Sequence, residues 1–448
     1  MKEAKDIDDS LEFLRSFEKH ANNTAFGELV LQRLDRHNKS LNLQGNRLTE
    51  TEFQSLFSLE SLKYLKSIDL SETGMNSKAV KHLCSSKWLH HITSLSLANN
   101  NLDDEGIFLL SKTNCLPNLT SLDLSSNEIG ALGAKVLSLS KSLNSVFSLN
   151  ISYNRIEPLG VHSLANSDFG RQLRFLQLRD ICLGNEGMRS FSSFRLDDLK
   201  SLDLSDNSIS DAGLEALATS NSFPNIKKLV FNNNHIGDDG IYALSQSNMV
   251  CNLESLFLVN NDLTTDSAIS ISESPGLIQL NTLDINNNDI RAEGTKALSE
   301  SPNLKSIEYL DLGQNALGSD GAKALAQSPN MQTLKFLRLN NNIKDAGISD
   351  MAISKNFTSL EQLFLENENW IHSEGAKSIA VSTAFPLLRT LILTLNAIGD
   401  EGAFHLAGNN NLNSLEQLNV AGNKISPRGE DALRNSPHLQ HLKNLELV

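Results

Sequence analysis

The sequence predicts an α/β solenoid, in which a concave parallel β-sheet lines a horseshoe and α-helices form its convex rim. Three observations predict it. The pattern LxxLxLxxN recurs from residue 41 onward, stepping 27 residues in every interval but one. Each copy continues into an Ile or Leu, a polar step, a Gly, and then Leu and Ala at helical spacing, as in NEIGALGAKVLS and NAIGDEGAFHLA. Polar return segments such as SPNL, at Ser301–Leu304, then lead into the next copy.

Taken in order, each unit begins with the Leu-x-Leu alternation of a strand that buries one face. The ninth position ends the strand. It falls at Asn46, Thr73, Asn100, Asn127, Asn154, Ile181, Asn207, Asn234, Asn261, Asn288, Asn315, Asn342, Asn369, Asn396 and Asn423, which makes fifteen units. Asn suits a tight turn because its amide both donates and accepts, satisfying backbone groups that the turn leaves unpaired. Thr73 and Ile181 depart from it and weaken the turn there. The Gly and the small residues after it open a helix whose Leu and Ala positions pack on the strand layer. Parallel strands joined by such helices coil right-handedly. Strands lie about 4.7–4.9 Å apart and helices roughly 8–10 Å apart, so the array bends with the strands inside.

Residues 1–38 lie outside the pattern. Ile7, Leu11, Leu14 and Phe17, then Phe26, Leu29, Val30 and Leu34, suit two amphipathic helices that cap the array, leaving 39–448 as the repeat domain. At the other end HLKNLELV begins a sixteenth strand without a cap, and such a strand edge pairs readily with a second chain.

The LxxLxLxxN units with their Gly-Ala-containing helices resemble helical leucine-rich repeats of the ribonuclease-inhibitor type. Segments such as GAKALA, at Gly321–Ala326, also resemble the GALA-type repeats of bacterial proteins. The resemblance covers about residues 40–448 and implies a protein-recognition scaffold, binding through the concave face or one rim. Ran GTPase-activating proteins use similar repeats without a second domain, so the resemblance also leaves open a regulator of an enzyme, GTPase-activating or occluding an active site.

Composition narrows the field. A net charge of −14 and a pI near 5.3 disfavour a nucleic-acid binder, which needs clustered Lys and Arg. No apolar run is long enough to span a membrane, and the N-terminus lacks a secretory apolar core. Cys84, Cys115, Cys182 and Cys251 are far apart and form no CxxC pair, so they read as reduced, mostly buried thiols of a cytoplasmic protein. No GxxxxGK[ST], HExxH or GxSxG motif is present. GALGAK, at Gly130–Lys135, occupies the ordinary turn–helix position, and DINNND, from Asp284, lacks the Gly and distal Glu of a calcium loop. His438 and His441 supply too few ligands for a metal. No catalytic residue, metal or cofactor is expected.

The third, fifth and seventh pattern positions face the concavity, and they change along the chain. The early repeats present small polar groups such as Ser67, Asp69 and Ser71. Phe175 and Arg179 follow in the sixth, then Val230 in the eighth and Phe257 and Val259 in the ninth. Tyr309 stands in the eleventh, Phe336 and Arg338 in the twelfth, Phe364 in the thirteenth and Ile392 in the fourteenth. Aromatic and Arg residues on exposed adjacent strands have the composition of a binding hot spot. The competing reading is that the rings cover one another and serve only the sheet.

One irregularity falls beside this group. From the third repeat the second strand Leu, or its equivalent, precedes the Gly position by nine residues, Ser267 standing in for Gly at one site. The distance is eight from Leu339 to Gly347 and ten from Leu365 to Gly375. The two changes cancel, and Trp370 lies in the longer turn, on a rim expected to adjoin Phe336, Phe364 and Ile392. These readings together describe a non-enzymatic scaffold for a protein partner of unknown identity, held in the C-terminal half, with a bacterial effector inside a host cell as one setting. Self-assembly through the last strand is the structural alternative.

Overall fold

The computed structural model describes residues 17–18, 24–340, 342–367 and 369–447. They form two compact units, one running to Ser208 with Ser220–Asn225, the other comprising Ile209–Thr219 and Ile226 onward.

In the first unit β1 (Leu34–Asp35) pairs antiparallel with β2 (Ser40–Asn42). Parallel strands follow at β3 (Ser67–Asp69), β4 (Ser94–Ser96), β5 (Ser121–Asp123), β6 (Ser148–Asn150), β7 (Phe175–Gln177) and β8 (Ser201–Asp203). The second unit carries β9 (Lys228–Val230), β10 (Ser255–Phe257), β11 (Thr282–Asp284), β12 (Tyr309–Asp311), β13 (Phe336–Arg338), β14 (Gln362–Phe364), β15 (Thr390–Ile392), β16 (Gln417–Asn419) and β17 (Asn444–Glu446), all parallel to their neighbours. The central residue of nearly every strand is buried against the helices, for example Leu256, Leu283, Leu310, Leu337 and Leu363. The two flanking residues point to the open face of the sheet.

Three ladders tie one repeat to the next. In the first, Asn315 donates to the carbonyls of Ile285 at 2.8 Å, Leu312 at 3.2 Å and Gly313 at 2.9 Å, and accepts the Ile290 N–H at 3.2 Å. Thr73 donates its hydroxyl to the Leu70 carbonyl at 2.7 Å and its N–H to Asn100 Oδ1 at 3.1 Å. The second ladder lies at the helix N-termini. Asp211 accepts the N–H groups of Gly237 and Gly240, one repeat on, and Asp345 accepts those of His372 and Gly375. A Cβ at Gly240 would come within 2.7 Å of Asp211 Oδ1, and one at Gly294 or Gly347 within 2.8 Å of the Ile four residues before, which disfavours a side chain there. Ser267 is tolerated at that position because its hydroxyl itself bonds Asp238. In the third ladder, a Ser after many of the helices donates to the last turn of the helix before. Ser301 bonds the Ser272 carbonyl at 2.6 Å, and Ser382 bonds that of Ala352 at 2.7 Å.

Some sequence expectations need correction. The second N-terminal helix stops at Gln32, and Leu34 belongs to β1 instead. Asp35 draws the chain into a turn by accepting the His37 and Asn38 N–H groups. Phe17 is helical and buried, whereas Ile7, Leu11 and Leu14 lie outside the described residues. Cys182 and Cys251 are exposed, contrary to the reading of mostly buried thiols. Asn342 is not a ladder residue: it is exposed, with φ of 67°. Asn340, the residue after Leu339, is buried and accepts the Gln314 N–H at 2.6 Å.

Candidate functional site

The open face of the second unit gathers much of the sequence-predicted set. Parallel register sets Tyr309 beside Phe336 and Asp311 beside Arg338 on β12 and β13, and Arg338 beside Phe364 across β13 and β14. The Tyr309 and Phe336 rings stack, and the Phe336 and Phe364 centroids are 5.0 Å apart. The Arg338 guanidinium lies over both phenylalanines, 4.7 Å from the Phe364 centroid and 5.6 Å from that of Phe336. The result is a continuous aromatic row with one cation laid across it.

Carboxylates surround that cation. Arg338 Nη1 is 3.0 Å from Asp311 Oδ2, and Nε is 3.0 Å from Glu366 Oε1. The second contact lacks hydrogen-bond alignment, so Nε is buried without a hydrogen-bond acceptor among the described residues. Asp311 is almost fully buried and also accepts from Asn286 Nδ2 and the Gly313 N–H. Its neighbour in register, Asp284, is pushed up to about 7, first by burial and then by the Asp311 charge. Burial also raises the Glu366 carboxyl. For Tyr309, burial and then the two aspartates push the phenol up to about 12. Burial works against the Arg338 charge, and the attraction of Asp311 and Glu366 more than offsets it.

The acids of the first unit's face are treated differently. Asp69, Asp123 and Asp203 each accept the N–H and hydroxyl of the Ser two residues on, at 2.9 and 2.6 Å. They are half-buried, and a Ser hydroxyl satisfies them locally, whereas among the described residues Asp284 accepts only the Asn286 N–H, at 3.1 Å.

The remaining sequence-predicted residues separate. Phe175, exposed, and Arg179 lie in the first unit, where Arg179 pairs with Asp206 and covers the Tyr153 ring at 5.5 Å. Val230 and Ile392 are only 9% exposed and offer little surface to a partner. Phe257 and Val259 are half-buried, with Lys228 Nζ 4.8 Å from the Phe257 centroid.

Trp370 is 56% exposed, so it does not fill the gap beside the short turn. It adopts a left-handed backbone, φ 55°, between buried Asn369 and Ile371. Asn369, four residues after Leu365, bonds the Leu339 carbonyl and accepts the Ile343 N–H, restoring the ladder after the short turn. With Asn367, Leu395, Ala397, Gly422 and Lys424 the Trp lines a groove of about 390 Å³ among the turns. This groove was not legible in the repeat pattern, since Leu395 occupies a left-handed position where most other repeats carry a polar residue or Gly, Tyr153 being another departure. Asp284, Asp311 and Glu366 were also passed over as site residues, although their unit-to-unit spacing from Arg338 placed them on the same face.

Eight segments, 89–111, 115–138, 198–218, 224–245, 279–299, 303–326, 386–407 and 411–433, match the family profile described as "Leucine Rich repeat". The chain is a leucine-rich-repeat protein, and its fold is the α/β repeat solenoid of that class. No curated protein is significantly similar to it in sequence. Among solved structures, a chain of the yeast Rad7–Elc1 complex is similar with a TM-score of 0.51 and 16% identity, covering 99% of this chain and 93% of that one. A leucine-rich-repeat protein of Leptospira interrogans gives 0.48 and 20%, covering 91% and 95%. An internalin of Listeria monocytogenes gives 0.42 and 18%, covering 97% and 94%. These likenesses are likenesses of fold.

Proposed function

We propose that the chain is a non-enzymatic scaffold that holds a protein partner on the open sheet face of its second unit, over Tyr309, Phe336, Arg338 and Phe364. The observation that carries this reading is the aromatic row with Arg338 laid across it, on strand positions that earlier repeats fill with Ser and Asp. Repeat solenoids bind along such extended faces, and clustered aromatic and Arg side chains dominate the energetics of interfaces. Stability of the sheet alone would be met by rings without the ion cluster, since placing Arg338 and its acids in a half-dry site costs desolvation. Phe257 and Val259 extend the apolar surface toward β10. Trp370 and Leu395 offer a second contact on the turns. A bacterial effector's setting, suggested by the GALA-like segments, is part of the proposal, as are the ribonuclease-inhibitor-like type of the repeats and residence in a cytoplasm. Among the described residues no helix is long and apolar enough to cross a membrane.

The test is affinity capture followed by mass spectrometry, comparing wild type with the Phe336→Ser/Phe364→Ser variant after circular dichroism confirms that both are folded. Partners that depend on this face are expected to fall at least ten-fold in the variant. Undiminished capture by the folded variant rejects the site.

A further inference from the structure

We infer that Cys84 and Cys115 form a modification site: a low-molecular-weight disulfide closes them into a cystine that staples the second repeat to the third. The inference is independent of the sheet face and of any partner held there.

The third ladder brings the two residues together. Elsewhere it joins a Ser after one helix to a Ser or Ala at the end of the helix before, as in Ser140 with Ser111 and Ser382 with Ala352. In the third repeat Thr113 takes the Ser position, its hydroxyl 3.4 Å from the carbonyl of Cys84. Cys84 is the last residue of the helix Ser77–Cys84. Cys115 lies two residues beyond Thr113, where Asn330 and Asn356 of later repeats bond the end of the preceding helix. The chain thus carries thiols at two positions that the ladder makes neighbours. Cys182 and Cys251 lie in later repeats and are exposed.

One hydroxyl links the two sulfurs. Thr113 Oγ1 donates to Cys115 Sγ at 3.0 Å and is within hydrogen-bonding reach of the Cys84 thiol. Cys115 Sγ in turn reaches the carbonyl of Leu83, the residue before Cys84, at 3.5 Å. Both cysteines are half-buried, so a small reagent has access to them. Burial, then the Cys115 charge, pushes the Cys84 thiol up to about 12, and burial raises Cys115 as well. Both are protonated at neutral pH, and neither has the depressed pKa of a cysteine that reacts alone. Proximity favours the pair instead, since a sulfur already engaged has its partner beside it.

The chemistry balances on the two thiols and the reagent. Cys115 leads, because the Thr113 hydroxyl and its own N–H stabilise its thiolate. Its sulfur attacks one sulfur of the reagent, forming a mixed disulfide and expelling a thiolate that takes up the proton Cys115 lost. Cys84 then attacks Cys115 Sγ, expels the second thiolate and gives up its proton to it. Two protein thiols are oxidised by two electrons, and the reagent is reduced to two thiols. The cystine ties the end of the helix Ser77–Cys84 to the segment leading into β5, which constrains the unfolded chain of the first unit.

The experiment treats the native full chain with 2-hydroxyethyl disulfide, blocks the remaining thiols with N-ethylmaleimide in denaturant, and maps the tryptic peptides by mass spectrometry. Most molecules are expected to carry a Cys84–Cys115 cystine, while Cys182 and Cys251 carry the reagent or the maleimide. The melting temperature of the cross-linked protein is expected to exceed that of the same protein after dithiothreitol by about 3 °C or more. Cys182→Ser/Cys251→Ser should keep that shift, and Cys84→Ser or Cys115→Ser should lose it. Separate adducts on Cys84 and Cys115, two free thiols there, or a cystine joining either to Cys182 or Cys251 overturns the inference. So does an unshifted melting temperature in the cross-linked protein. The wild-type peptide map decides the matter even where a Ser variant fails to fold.

Discussion

The rings of Tyr309 and Phe336 lie parallel on neighbouring strands, their centroids 4.1 Å apart and their planes 9° from each other. They are register partners, each the first residue of its strand, so the pairing follows from the 27-residue period and not from any local loop. Such a pair contributes about 0.5–1.5 kcal/mol beyond its burial. The stack keeps this half-buried aromatic surface flat in the free protein. Stability and binding therefore draw on the same residues and have to be separated by measurement.

Arg338→Met leaves the nearly inaccessible Asp311 without its cation. We expect a loss of roughly 3–5 kcal/mol in urea denaturation, the usual cost of breaking a buried pair from one side. Adding Asp311→Asn should recover more than half of it. Two single losses that merely add would show that the pair is not coupled.

Asp284 gives the pH dependence its sign. Its folded-state pKa, about 7, lies above the unfolded value, so the folded state holds the proton between those limits. Its contribution is fully present below the unfolded value near pH 4 and is lost as pH rises through about 7. Asp284→Asn should remove that decline, making the variant more stable than wild type at pH 8 by on the order of 2–4 kcal/mol. Thermal melts across pH 4–8 would show it, and parallel profiles would contradict it.

Asn315→Ala and Asn342→Ala separate a ladder residue from a surface one. Asn315 is fully buried and serves three carbonyls and one N–H, so its loss should cost about 2–4 kcal/mol. Asn342 is exposed but left-handed, φ 67°, so its replacement by Ala should cost only the backbone preference of Asn for that conformation, about 1 kcal/mol. Equal denaturation midpoints for the two would mean that the ladder has been misplaced.

Leu395 holds a left-handed backbone, φ 56°, while half its side chain faces solvent beside Trp370. Leu395→Asn should stabilise the protein by about 0.5–1 kcal/mol, because Asn tolerates that conformation better. A destabilised variant would mean that the Leu packs more than its exposure indicates.

The repeat made the fold legible. Leu-x-Leu fixed which strand residues face the helices, and the Asn positions located the turns wherever the spacing held. The Asp-to-Gly and Ser-to-carbonyl ladders were invisible, because each joins residues 25–30 apart that look like ordinary polar surface. Asn342 was misread because the period alone cannot say which of three consecutive Asn residues turns inward when one residue is missing. At the site, Phe336, Arg338, Phe364 and Tyr309 were found by their pattern positions. Burial then removed Val230 and Ile392, since one-dimensional spacing gives a direction and not the height of the neighbours. Asp284, Asp311 and Glu366 needed the ion geometry around Arg338 to show that they belong to one cluster.

The most direct test of a partner-binding sheet face is site-specific photo-crosslinking with the full chain and its captured partner. The probe is placed at Gln362, exposed at the start of β14 beside Phe336, and separately at Lys323, on the helix of the eleventh repeat. A binding face on the open sheet predicts a strong crosslink from 362 that Phe336→Ser/Phe364→Ser abolishes, and little or none from 323. A crosslink from 323 with none from 362 would contradict it.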